Sequence, residues 1–133
     1  MKQLLYTILL FGMFFFSCDE ERPDDFFDLG VLEDFQVGKE YLSKNKDLQF
    51  VITTISDSRC PSDVVCVWEG EAVVKISVEK PVLAEIELST YDNLIDTVGN
   101  YSFEIADAQP YPVSTETIKP KDYNIVLKIM KLN

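Results

Sequence analysis

The sequence predicts an all-β domain, an antiparallel β-sandwich or a partly open barrel of roughly six to seven short strands. Three observations carry this: side chains alternate in polarity with a period of two, β-branched residues are dense within those segments, and turn-forming residues separate them. Leu48, Phe50 and Ile52 share one face, with Gln49 and Thr53 on the other. Ala72, Val74, Ile76 and Val78 oppose Lys75 and Ser77, and Ala84, Ile86 and Leu88 oppose Glu85 and Glu87. Near the C-terminus Tyr123, Ile125, Leu127 and Ile129 oppose Asn124 and Lys128.

The breaks fall between these segments. Ser43-Lys44-Asn45-Lys46-Asp47 separates the first two strands, and Glu79-Lys80-Pro81 makes a tight hairpin connection. Asp92-Asn93 and Gly99-Asn100 bracket a longer loop, and Pro110, Pro112 and Pro120 punctuate the approach to the last strand. Tyr91 to Val98 is the only stretch with room for a brief helix.

A chain of 133 residues supports one domain, and 47% apolar with 26% charged residues is ordinary for a globular protein. The formal net charge is −11. Such a surface repels phosphate backbones and anionic headgroups, so no nucleic-acid partner is expected. The chain contains no histidine. Imidazole acid–base chemistry and serine or cysteine triads are thereby excluded. Three cysteines without histidine also fall short of a four-ligand structural zinc site. No cofactor, metal or catalytic constellation is expected.

The N-terminus has its own logic. Lys2 precedes an apolar run from Leu4 to Phe16, thirteen residues long. A helix of that length spans roughly 20 Å, short of the ~30 Å hydrocarbon core, so the run fits a signal peptide rather than a membrane span. It ends at Phe15-Phe16-Ser17-Cys18, which resembles the lipobox of bacterial lipoproteins, where a small residue precedes an acylated cysteine. The resemblance implies a signal peptide over residues 1–17, lipidation of Cys18, and attachment to a membrane of the bacterial cell envelope, the outer membrane for preference. Asp19-Glu20-Glu21-Arg22-Pro23-Asp24-Asp25 then forms an acidic tether, and residues 18–30 are assigned to anchor and tether, 31–133 to the β domain. An acidic run after the cysteine also resembles the surface-export signal of Bacteroidetes lipoproteins, which leaves periplasmic and surface faces both open.

With Cys18 given to lipid, Cys60 and Cys66 remain, and an even remainder in an exported protein reads as a disulfide. A loop so short gains about 2 kcal/mol from closure. Around it lies one local motif, Asp57-Ser58-Arg59-Cys60-Pro61 followed by Cys66-Val67-Trp68-Glu69-Gly70-Glu71-Ala72. It resembles the DSRCP…CxWxGxA signature of a family of small bacterial envelope lipoproteins and secreted proteins without an established function. The resemblance extends from about Phe35 through Val78 and implies the same disulfide and a β domain.

Physically the motif is a strand end, a closed loop and the start of the next strand. Asp57 is placed to cap loop amides or pair with Arg59, and Gly70 to supply a bulge or a positive φ. Two readings stand side by side. In one the motif is a stapled turn with a packed tryptophan and an Arg–Asp lock. In the other Arg59, Trp68, Glu69 and Glu71 form an exposed recognition patch. Parity favours the first for Trp68: counted from Cys66 it shares a face with Ala72 and Val74, so it is expected to be buried, and Trp68→Ala to cost about 3–5 kcal/mol. Redox chemistry is disfavoured, because redox pairs sit two residues apart at a helix N-terminus. Asp92, Asn93 and Asp96 lack the ligand density of a calcium loop. Glu85 and Glu87 alternate as any solvent face does. The expectation is a non-enzymatic, lipid-anchored binding or structural module; the rival is a β-sandwich inhibitor presenting the 57–71 loop to the cleft of a hydrolase.

Overall fold

The structure, a computed structural model, describes residues 25–133. The expected signal peptide, the expected lipidation site Cys18 and the expected tether up to residue 24 lie outside the described residues. Nine strands follow in order: β1 (Asp25–Phe27), β2 (Leu32–Gln36), β3 (Glu40–Ser43), β4 (Gln49–Asp57), β5 (Ala72–Lys80), β6 (Ala84–Ser89), β7 (Ile95–Val98), β8 (Tyr101–Gln109) and β9 (Asn124–Lys131). They form a five-stranded sheet in the order β1-β3-β4-β5-β6 and a four-stranded sheet in the order β2-β9-β8-β7. The sheets pack face to face with no closed barrel, so the fold is a β-sandwich.

The alternating residues meet between the sheets. Phe50, Ile52, Val74, Ile76, Val78 and Leu88 from one, and Phe103, Ile125 and Leu127 from the other, are fully buried. An aromatic cluster closes one side: Phe50 meets the ring of Phe103 edge-on at 5.6 Å and that of Phe27 at 5.4 Å, while Phe35 meets Tyr41 at 4.8 Å. Edge-to-face contacts of this kind add to area burial.

Four expectations need correcting. The strand count is nine rather than six or seven, because β1, β2 and β7 are too short to display alternation. The pairing is not wholly antiparallel, since β1 runs parallel to β3 with Phe27 opposite Ser43. Phe27 is 2% exposed, so the fold begins within the segment assigned to the tether rather than at residue 31. One buried phenylalanine outweighs the acidic composition around it. Tyr91–Val98 holds no helix: Ile95–Val98 is β7, paired with β8 across Gly99-Asn100.

For function the important junction is the end of the β4–β5 hairpin. Asp57 and Ala72 form its last register pair. The segment between them forms a loop at that end of the sandwich, with Arg59 buried at its base and Val65, Val67 and Trp68 exposed.

Candidate functional site

The neck of the projection is locked by backbone. Ser58 N–H donates to Glu71 O at 2.8 Å and Cys60 N–H to Glu69 O at 2.6 Å, which extends the hairpin ladder past the strands. The Ser58 hydroxyl also bonds the Glu71 backbone. Gly70 makes this approach possible. Its φ is +67°, and a Cβ there would stand 1.9 Å from Ser58 O, so only glycine fits. Above the neck Cys60 and Cys66 are joined as a disulfide, with Cα atoms 5.9 Å apart. One limb of the loop is tied to the opposite sheet's connection: Ser62 N–H donates to Pro112 O at 3.0 Å, and Asp63 accepts from the Ser114 amide at 2.8 Å and from its hydroxyl.

Beneath the neck lies an ionic latch. Arg59 donates from Nε to Asp57 Oδ1 at 2.9 Å and from Nη2 to Asp57 Oδ2 at 2.7 Å, and its backbone N–H reaches Oδ1 at 3.0 Å. The Tyr123 hydroxyl, from the residue just before β9, donates to Asp57 Oδ2 at 3.0 Å. The guanidinium lies over the Tyr111 ring at 4.5 Å, with Asp107 at 3.8 Å and Pro110 O at 3.4 Å. Both side chains are buried, at 6% and 5% exposure. Burial alone would raise the Asp57 carboxyl, but the Arg59 hydrogen bonds outweigh it and hold its pKa below the usual range. Burial would likewise lower Arg59, and Asp57 more than restores it. Burial and donation to Asp57 push the Tyr123 hydroxyl up to about 12.

The tip is the reverse of the latch. Trp68 is 77% exposed, Val65 101% and Val67 95%. The expected burial of Trp68 is therefore overturned, and with it the expected cost of Trp68→Ala. The parity count assumed an unbroken strand from Cys66, whereas β5 starts only at Ala72 and the left-handed Gly70 resets the alternation. The two readings of the motif thus divide it. Asp57 and Arg59 belong to the scaffold, and Trp68 with the exposed Glu69 belongs to the displayed surface.

Glu71 is partly buried at the neck. With Ser58, Trp68, Glu69, Gly70 and Tyr91 it lines a cleft of about 420 Å³. A second cleft of about 410 Å³ lies across Glu69-Gly70, bordered by Arg59, Tyr91, Asp107 and Tyr111. Tyr91, 65% exposed, stands between the two and was missed by sequence reasoning. Only its place in the turn after β6 could have signalled it. There Ser89 Oγ accepts from the amides of Tyr91, Asp92 and Asn93, so the Asp92-Asn93 segment is held as a turn. Glu87 pairs with Lys75 at 3.6 Å on the exposed outer face. Comparison of the chain with known families, characterised proteins and solved structures finds no match.

Proposed function

We propose that this protein is a non-enzymatic binding module, lipid-anchored to the bacterial cell envelope through Cys18, that engages a partner protein with the stapled loop between β4 and β5. The observation that carries this reading is Trp68, 77% exposed on a loop whose neck is fixed by hydrogen bonds and a disulfide. A large aromatic held out on a rigid support loses little entropy on binding, and tryptophan is the residue type most favoured at binding hot spots. The lipobox resemblance at Ser17-Cys18 and the lack of histidine support the envelope and the non-enzymatic parts of the reading.

Covalent capture from envelope extracts, run with the wild type and with Trp68→Ser, tests it. The wild type is expected to retain a stoichiometric protein that the variant loses, with both melting at nearly the same temperature. Equal retention by the two would overturn the reading. Lipid labelling of the wild type against Cys18→Ser tests the anchor separately, and labelling that persists in the variant would refute it.

The shape of the tip favours a second reading. Val65 and Val67 protrude from a loop tied at both ends, which suits insertion into an enzyme cleft. If the captured protein is a hydrolase whose activity falls on binding, the module is an inhibitor.

A further inference from the structure

The cleft beside the neck has a chemistry of its own. Trp68 and Tyr91 give it aromatic walls, and Glu69 and Glu71 give it carboxylates. No lysine or arginine is among the described residues that line it. Glu71 Oε2 is buried and has no hydrogen-bond partner among the described residues. Glu71 itself is only partly buried and lines the cleft, so a small turn of its carboxylate presents that unpaired oxygen to a charged donor arriving from outside. The nearby arginine of the motif is not free to do so, because Asp57 holds it on the far side of the neck.

We propose that this cleft receives the cationic side chain of an arginine or lysine carried by a loop or tail of the partner protein. The chain's net charge of −11 draws such a segment in, and the aromatic faces hold the cation once it arrives. The molecule already uses this chemistry once: the Arg59 guanidinium sits between the Asp57 carboxylate and the face of Tyr111. A cleft of about 420 Å³ is roomy enough for a guanidinium and its aliphatic stem. The proposal rests on the loop being the binding face and adds the chemistry of what it binds.

Trp68 is the chain's single tryptophan, so its emission reports this site alone. The experiment titrates the full-length protein in detergent with an acetyl-Gly-Arg-Gly-amide peptide and with its citrulline counterpart, which has the same shape without the charge. Saturable change with the arginine peptide, weakened by high salt and absent with citrulline, is expected. Glu71→Gln should weaken binding about tenfold, the loss of one charged hydrogen bond. Tyr91→Ala, at an exposed position outside the neck, should weaken it as well and serves if Glu71→Gln melts early.

No saturable change, an equal response to citrulline, or indifference to both substitutions would overturn the proposal. So would salt-insensitive saturation by a neutral oligosaccharide in place of the peptide. Failure here with loss of the captured partner in Trp68→Ser would leave the loop as the binding face and remove only the cationic ligand. Peptide binding with the partner still retained by Trp68→Ser would instead keep the cleft and overturn the loop.

Discussion

Arg59→Ala should be among the most damaging single substitutions in the loop region, although it touches no hydrophobic core. The guanidinium makes two side-chain bonds to Asp57, at 2.9 and 2.7 Å, in a site where both side chains are about 95% buried. Truncation leaves the Asp57 carboxylate buried with only the Tyr123 hydroxyl and one backbone amide as donors. Removing one member of a buried ion pair costs about 3–5 kcal/mol, chiefly because the other is left uncompensated. A domain of this size has about 5–15 kcal/mol in all, so the variant should be marginal at 37 °C. Arg59→Lys keeps the charge but not the planar fork, and should recover only part of the loss. Adding Asp57→Asn to Arg59→Ala removes the orphaned charge, so the double variant should lose less than the sum of the two singles. Urea unfolding followed by far-UV circular dichroism measures the four variants against the wild type. A loss under about 1 kcal/mol for Arg59→Ala, the level of a solvent-exposed ion pair, would refute the latch and return Arg59 to the recognition-patch reading.

Three other outcomes follow from the same structure. Phe27→Ala should cost about 3–5 kcal/mol in denaturant unfolding despite its place in an acidic, tether-like segment, because the ring is 2% exposed against Phe35 and Phe50. Gly70→Ala should cost more than the ~1–2 kcal/mol of a left-handed backbone alone, since its Cβ collides with Ser58 O, and amide exchange at Cys60 should quicken as the neck opens. Stability should have two pH edges. Asp57, depressed in the folded state, supports the fold above its unfolded pKa of about 4, and that support is lost as pH falls through the lower folded value. Tyr123 is raised, so its contribution is lost as pH climbs from about 10, where the unfolded phenol ionises, to about 12. Thermal melts across pH check both, with Tyr123→Phe losing part of the alkaline edge and the rest remaining with Tyr41, whose hydroxyl pKa burial also raises.

The parts of the fold legible in the sequence are those where one residue's environment repeats two positions on. Ala72 to Val78 and Tyr123 to Ile129 read correctly because each strand is long and has one buried face. Phe27 was illegible for the opposite reason: a three-residue strand has no period, and its burial is decided by Phe50 and Phe35, distant in sequence. Within the motif, the Arg59–Asp57 pairing was local and therefore readable. Its burial was not, since Tyr111 and Tyr123, which help enclose it, come from the far end of the chain. Trp68 failed because parity is a property of continuous extended chain, and one positive φ at Gly70 ends its validity.

That failure reverses what the disulfide is for. Had Trp68 been buried, the staple would have been a stability device for a thin core, worth about 2 kcal/mol. With Trp68, Val65 and Val67 facing solvent, the loop holds out side chains whose burial would each gain about 1.5–3 kcal/mol. A slack loop would fold them down onto the sandwich. The staple, the Ser58–Glu71 and Cys60–Glu69 bonds, and the tie from Asp63 to Ser114 oppose that collapse from three directions. The Asp57–Arg59 latch holds the base from which all of them extend. A motif half buried salt bridge and half exposed tryptophan is then one device, in which the first half fixes the frame and the second holds an apolar tip out in solvent.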